Sequence, residues 1–187
     1  LQVGFAAAVI PAPPYGSDDL PVYSVFGQWL SNGALWEKIR TEGGAYGVFA
    51  YPDSLEAIFS FATYRDPSPL RSLEVFYEVL EGAAAKKIDP VQLERTITGC
   101  YSREIQPRSP ADKGFTSFIR TLYGITDEAR RKRIQRLVSV TPEDMQQCAE
   151  KMLEDWPGYT GAVLAGKKQF KDHKGLVFAG NIVKYTI

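Results

Sequence analysis

Histidine is almost absent from this sequence: its 187 residues include a single one, His173. Hydrolytic metal sites need about three ligands from His, Asp, Glu or Cys, commonly with two histidines four residues apart on a helix. Serine and cysteine hydrolases need a histidine beside the nucleophile. Because His173 lies in the polar segment KDHKG, which is typical of a turn, we interpret it as a solvated loop residue. The sequence thus argues against a metal centre or a catalytic triad built within this chain.

Cysteine and long apolar runs are also scarce. Two cysteines, Cys100 and Cys148, are too few for a disulfide framework, and each lies in a segment with helical apolar spacing, where a free thiol packs as a small hydrophobe. We therefore expect a reducing compartment. The longest apolar run, residues 3–10, is far shorter than the ~20 residues that cross a bilayer, and it lacks the basic flank and cleavage site of a signal peptide. We predict a strand there and no membrane partner.

The sequence has no excess of charge of either sign. Lys and Arg together number 22, as do Asp and Glu, so the formal net charge is zero. A neutral chain has no global field to attract nucleic acid, and we predict none as a partner. One basic run, RRKR at residues 130–133 with Arg136, leaves open an adaptor that binds acidic partners. It shares a predicted helix with Asp127 and Glu128, so we interpret it as a solvated helix face.

Apolar residues make up an ordinary 44% of the chain, and their spacing alternates between that of helices and that of strands. A chain of this length needs only one core, so we predict a single domain over residues 1–187. Four Ser, Asp or Thr residues stand directly before a proline, which is the pattern of a helix N-terminus. The four predicted helices follow Ser68, Asp89, Ser109 and Thr141, and their predicted buried faces are Leu70, Leu73, Tyr77 and Leu80; Leu93, Ile97 and Cys100; Phe115, Phe118, Ile119 and Leu122; and Met145, Cys148 and Met152.

The remaining elements complete a layered fold. Further helices are predicted over residues 22–29, around Leu35 and Ile39, and over residues 127–138. Strands are predicted over residues 3–10 as the central strand, in a hairpin of residues 46–51 and 55–64 that turns at Pro52-Asp53-Ser54, and over residues 159–165, 176–179 and 182–187. This order predicts an α+β fold of two layers, in which helices cover one face of a mostly antiparallel sheet.

One short motif imitates a phosphate-binding loop. Residues 161–168, GAVLAGKK, match Gly-x4-Gly-Lys but end in Lys, where the motif has Ser or Thr. Their apolar middle has the pattern of a strand, and we predict no helix after them. We therefore do not interpret this segment as a nucleotide site.

A second segment, residues 35–47, joins a helix end to a strand start through two glycines. Arg40 lies near the end of the helix and Tyr46 at the start of the strand, so both side chains can project at one edge of the sheet. An arginine donates up to five hydrogen bonds and suits peptide carbonyls. A tyrosine phenol keeps its proton at neutral pH and can donate to an oxyanion. The residues alone also allow a structural interpretation, in which Arg40 complements the helix dipole and Tyr46 packs on the sheet.

The same segment, LWEKIRTEGGAYG, resembles the Arg/Tyr segment in the C-terminal half of presequence-protease-like members of the pitrilysin/insulinase family of zinc metallopeptidases. The similarity continues in FATYRDP at residues 61–67 and SPADKGF at residues 109–115, so it follows most of the chain in order. The resemblance implies a parent of four homologous α+β domains, in two halves around a chamber for unfolded peptides. This chain would be the fourth, C-terminal domain.

The resemblance also implies that the two halves of the parent contribute different groups to the active site. The N-terminal half of such enzymes holds zinc with a His-x-x-Glu-His motif, whose Glu is the general base, while the C-terminal half contributes an Arg and a Tyr that bind the substrate backbone and stabilise the tetrahedral intermediate. Those residues correspond to Arg40 and Tyr46. No His-x-x-Glu-His occurs here, so zinc is expected outside this chain. We expect the parent to be a zinc metalloendopeptidase that degrades oligopeptides, and this chain alone to be inactive.

The chain begins at Leu1 without an initiator methionine, which we interpret as a piece of a longer protein. The expected partners are unfolded peptide substrates and the N-terminal half of the same protein. The expected compartment is the cytoplasm for a bacterial source and an organelle matrix for a eukaryotic one. The alternative is a non-catalytic homologue that serves as a structural or peptide-holding partner.

Overall fold

The structure is a computed structural model that describes residues 2–171. The strands predicted at residues 176–179 and 182–187, and the turn predicted at His173, lie outside the described residues. Within residues 2–171, no helix combines the length and the apolar character that a membrane span needs. The elements, in chain order, are β1 (Phe5–Pro11), α1 (Leu20–Asn32), a π-helix (Trp36–Glu42), β2 (Gly47–Asp53), β3 (Ile58–Tyr64), α2 (Pro69–Ala85), α3 (Pro90–Ile105), α4 (Pro110–Leu122), α5 (Asp127–Val138), α6 (Pro142–Asp155), a 3₁₀ turn (Trp156–Gly158), β4 (Thr160–Leu164) and α7 (Lys167–Lys171).

The four strands form one antiparallel sheet in the order β2, β3, β1, β4. β1 is therefore an interior strand, as its apolar sequence predicts. Ala6, Ala8 and Ile10 of β1 share a face with Phe59 and Phe61 of β3, and all five are at most 2% exposed. Helices α1 and α2 pack on this face. The predicted α+β fold, with helices on one face of an antiparallel sheet, is confirmed.

Aromatic packing ties the sheet to the helical layer. The ring of Phe61 stacks on Phe76 of α2 at a centroid distance of 5.1 Å and meets the ring of Trp156 edge-on at 5.6 Å. Trp156 in turn stacks on Tyr159, just before β4, at 5.0 Å. Since burial of one large apolar side chain contributes about 1.5–3 kcal/mol, this cluster holds α2 and the end of α6 against the sheet.

The predicted helix starts are confirmed. Asp89, Ser109 and Thr141 each accept a hydrogen bond from a backbone N–H in the first turn of α3, α4 and α6. Ser68 makes no side-chain cap on α2. Instead the carboxylate of the buried Asp66 accepts from the Ser68 N–H at 2.8 Å and from the Ser72 hydroxyl at 2.6 Å. A carboxylate two residues earlier therefore performs the capping role.

The predicted burial of α4 is wrong. Phe115, Phe118 and Leu122 are 68%, 62% and 65% exposed, and no residue of this helix is buried. Tyr77 of α2 is likewise 38% exposed, with its ring 6.0 Å from Trp156. The spacing of apolar residues predicts that one side of a helix is apolar, but it does not say which part of the molecule covers that side.

Three local predictions also need correction. The hairpin turns over residues 54–57, because Pro52 and Asp53 continue β2 and pair with Phe59 and Ile58. The helix predicted around Leu35 and Ile39 is a π-helix. The short helix α7 begins at Lys167, inside the phosphate-loop lookalike, where we predicted no helix. A helix of five residues offers little of the helix-end field that binds phosphate.

Candidate functional site

The π-helix ends in a tight reversal that requires two glycines. A Cβ atom on Gly43 would lie 2.6 Å from the Ile39 carbonyl oxygen, and Gly44 has a φ of +77°. The Gly44 N–H donates to the Arg40 carbonyl at 3.0 Å. Two residues later, the Tyr46 N–H donates to the Tyr64 carbonyl at 3.1 Å, which joins the chain to the sheet. The reversal therefore brings Arg40 and Tyr46 together at the edge of the sheet.

The Arg40 guanidinium lies between two aromatic rings. Its Cζ atom is 4.0 Å from the ring centroid of Trp36 and 5.7 Å from that of Tyr46. Both distances fall within the ~6 Å range of cation–π attraction. Within the described part of the chain, no carboxylate forms a salt bridge with Arg40. The rings therefore orient the guanidinium without occupying its N–H donors, which remain available to a ligand.

Tyr46 is 64% exposed and is held by its neighbours. Its ring meets Tyr64 edge-on at 5.8 Å, and the Arg65 guanidinium lies 5.7 Å from the Tyr64 ring centroid. Trp36, Tyr64 and Arg65 also border the site, although the sequence pattern did not single them out as site residues. Trp36 was detectable, since it precedes Arg40 by about one helical turn. Tyr64 and Arg65 were not, because only the pairing of β2 with β3 brings them to this site.

The site borders the face of the sheet that the helices leave open. Phe49 and Tyr51 of β2, Tyr64 of β3 and Leu164 of β4 are between 42% and 51% exposed. Those of β2 and β3 alternate with the buried residues of their strands, as a pleated sheet requires. Arg40 and Tyr46 thus lie at one end of an exposed surface with aromatic and aliphatic side chains.

A comparison with known families shows where the chain belongs. Residues 15–158 match the family model of the PreP C-terminal domain. The chain belongs to this family. This presequence-protease-like domain is 32% identical over 169 residues to the mitochondrial presequence protease of Saccharomyces cerevisiae, with 88% of the chain covered. It spans 16% of that yeast protein, and between 12% and 17% of other curated relatives.

Solved structures agree on the fold. The domain superposes on pitrilysin with a TM-score of 0.66 and 19% identity, covering 86% of this chain and 18% of pitrilysin. It superposes on an inactive peptidase domain from Bordetella parapertussis with a TM-score of 0.72 and 18% identity, covering 87% of this chain and 92% of the other. The expected pitrilysin-type fold and the resemblance to presequence-protease C-terminal domains are both confirmed.

The described part of the domain holds no grouping of three or more His, Cys, Asp or Glu side chains that could bind a metal ion. Both cysteines are buried, as their helical spacing predicts. Burial raises the pKa of the Cys100 thiol, and raises the pKa of the Cys148 thiol well above its usual range. Both side chains therefore remain thiols near neutral pH, and neither is suited to act as a nucleophile or ligand.

Cations of the basic run on α5 form ion pairs within the domain. The Arg136 guanidinium forms two hydrogen bonds to the Asp144 carboxylate, at 2.6 and 3.0 Å. This pairing lowers the pKa of Asp144 and raises that of Arg136. Other cations of α5 pair with carboxylates of α3, α5 and the loop before α1: Arg133 with Glu104, Arg130 with Asp127, and Lys132 with Asp18. Because these cations already pair with carboxylates of the domain, the structure gives little support to the interpretation of α5 as an adaptor for acidic partners.

Proposed function

We propose that this domain binds peptide substrate and assists catalysis in a zinc metalloendopeptidase that degrades oligopeptides, whose metal and general base lie in its N-terminal half. Arg40 would donate hydrogen bonds to carbonyl oxygens of the bound peptide, and the Tyr46 hydroxyl would donate a hydrogen bond to the oxygen of the attacked carbonyl. One observation carries the proposal. Arg40, oriented by two rings and without a carboxylate partner in the described residues, lies beside the exposed Tyr46.

The chemistry assigns the two residues different roles. Zinc held outside this chain would supply the activated water. As the carbonyl is attacked, negative charge develops on its oxygen, and a preorganised O–H donor stabilises that charge more strongly than it stabilises the substrate. Tyr46 is suited to this role because it is exposed at the sheet edge. Arg40 carries a permanent charge and several donors, which suit binding of the substrate backbone in both the ground state and the transition state.

The open sheet face supports an unfolded peptide as the substrate. Phe49 and Tyr51 are each about half exposed beside the site, and they would contact apolar side chains of an extended peptide. The presequence proteases of the fungal relatives are described as mitochondrial and that of Arabidopsis thaliana as chloroplastic and mitochondrial. We propose an organelle matrix for a eukaryotic source and the cytoplasm for a bacterial one. We also propose that the domain is the last of four.

The test is peptide hydrolysis by the full-length parent with zinc present. Tyr46→Phe should lower kcat by about 10²–10³-fold, the cost of one oxyanion donor, with little change in KM. Arg40→Ala should raise KM as well as lower kcat. Tyr101→Phe removes a phenol from a partly exposed tyrosine on α3 and should leave both constants unchanged. The isolated chain should be inactive.

A different outcome would favour the alternative function. If Tyr46→Phe changes kcat no more than Tyr101→Phe does, Tyr46 is not an oxyanion donor. If the parent binds zinc but cleaves no peptide, or if its sequence contains no His-x-x-Glu-His, the domain belongs to a non-catalytic homologue that holds peptides or supports another subunit. The fold is compatible with either function, since it also occurs in the inactive peptidase domain from Bordetella parapertussis.

A further inference from the structure

Helix α4 carries its apolar residues on the side that faces away from the domain. Phe115, Phe118 and Leu122 follow one another at spacings of three and four residues, which places them on one stripe of the helix. They are 68%, 62% and 65% exposed. Thr116 and Arg120, on the other side of the helix, are partly buried. Ile119, the fourth large apolar residue of this helix, is partly buried as well, so the uncovered stripe consists of Phe115, Phe118 and Leu122.

The polar side of α4 faces a groove against the rest of the domain. This groove is lined by residues 104–108, at the end of α3 and just after it, by Lys113, Thr116 and Arg120 of α4, and by Arg130 of α5. The Arg108 guanidinium donates to the Thr116 hydroxyl across it. Partial burial and then the nearby charges of Arg130 and Arg108 lower the pKa of Arg120. These contacts turn Thr116 and Arg120 towards the groove, and the stripe of Phe115, Phe118 and Leu122 lies uncovered on the same helix.

A short helix with this orientation requires a covering surface. Isolated helices of about a dozen residues are marginally stable in water, and most helical stability in proteins comes from packing of the apolar side. Contiguous exposed apolar residues of this kind mark interaction surfaces. We infer that the stripe of Phe115, Phe118 and Leu122 docks on an apolar surface elsewhere in the parent polypeptide.

The length of the relatives favours the same polypeptide over a second copy. The chain spans between 12% and 17% of curated relatives such as those of Arabidopsis thaliana and Yarrowia lipolytica, so most of such a protein lies outside it. A surface on the same polypeptide is available to the stripe at an effective concentration of about 1 mM or more. A second molecule rarely reaches that concentration in solution. This inference does not depend on the roles proposed for Arg40 and Tyr46.

Hydrogen exchange in the unsubstituted full-length parent tests the docking directly. The α4 amides should exchange at least about a hundredfold more slowly than those of an uncovered helix. The double variant Phe115→Ser/Phe118→Ser should abolish this protection, and Lys113→Ser, on the polar side, should leave it intact. Rapid exchange of α4 in the unsubstituted parent would overturn the inference.

Thiol labelling gives a second, residue-level test in the same full-length protein. Phe118→Cys and Ser117→Cys place a thiol on neighbouring residues that point to different sides of α4. Maleimide should modify Cys at residue 118 at least about tenfold more slowly than at residue 117 in the native protein, and equally fast after denaturation. Equal native rates would contradict docking. Protection at residue 118 that appears only as protein concentration rises, together with dimers by light scattering, would assign the stripe to a second copy instead.

Discussion

Replacing Trp36 should weaken peptide binding without removing any atom that contacts the peptide. The Arg40 Cζ atom lies 4.0 Å from the Trp36 ring centroid, and Trp36 is 39% exposed. A partly exposed cation–π contact of this geometry contributes about 1 kcal/mol. If that contact orients the guanidinium, its loss corresponds to about a fivefold change in an equilibrium constant. We therefore expect Trp36→Leu to lower kcat/KM of the full-length parent by about fivefold, chiefly through KM.

The assay is a double-mutant cycle on peptide hydrolysis. Trp36→Leu, Arg40→Ala and the double variant should give a coupling energy of about 1 kcal/mol between the two residues. Trp36→Phe retains an aromatic face and should lose less activity than Trp36→Leu. Trp36 is not part of the buried core, so we expect its variants to fold normally. The melting temperature of each variant is the control for folding.

Two outcomes would refute this reasoning. If the effects of Trp36→Leu and Arg40→Ala add within about 0.3–0.5 kcal/mol, the two residues do not act together. If Trp36→Phe is as impaired as Trp36→Leu, the aromatic face is not the relevant property. Either result would leave the Arg40 proposal intact while removing Trp36 as its positioning residue.

Two further predictions concern stability and are checked by denaturant unfolding. Gly43→Ala should destabilise the protein by more than about 1 kcal/mol, because its Cβ would lie 2.6 Å from the Ile39 carbonyl oxygen; Gly82→Ala, where α2 leaves open space, should instead stabilise by about 0.5–1 kcal/mol, and equal effects would contradict the structure. Because Arg136 lowers the pKa of Asp144, that ion pair stabilises the fold above the unfolded-state pKa, near 4, and the contribution is lost as the pH falls through the lower folded-state pKa. Arg136→Met should therefore cost stability at pH 7 and progressively less below pH ~4; a difference from the unsubstituted protein that does not change with pH would exclude this origin.

Several features of the fold follow from residues that are close in sequence. The helix starts after Asp89, Ser109 and Thr141 were predictable, because a capping side chain and a proline act within one turn. The buried side of β1 was predictable from its period of two. The glycine reversal that joins Arg40 to Tyr46 was also visible, since few other residues accommodate that backbone.

Other features were misjudged where distant parts of the chain decide them. The hairpin turn moved because the pairing of Pro52 and Asp53 with β3 extends the strand beyond the residues with turn propensity. The π-helix was not predicted, since the same apolar spacing fits an α-helix. Among the aromatic residues around the Arg40 guanidinium, Trp36 lies one helical turn away in sequence, whereas Tyr64 reaches the site only through the pairing of β2 with β3.

The sequence by itself determined the family, the order of helices and strands from β1 to β4, and the proximity of Arg40 to Tyr46, because each depends on short segments. Only the tertiary structure decided that Trp36 stacks on Arg40 and Tyr64 packs against Tyr46, since strand register and the π-helix set those distances. Only the tertiary structure decided that α4 exposes its apolar stripe. Periodicity predicts which side of a helix is apolar. What covers that side is decided by contacts with residues far apart in the chain or outside it.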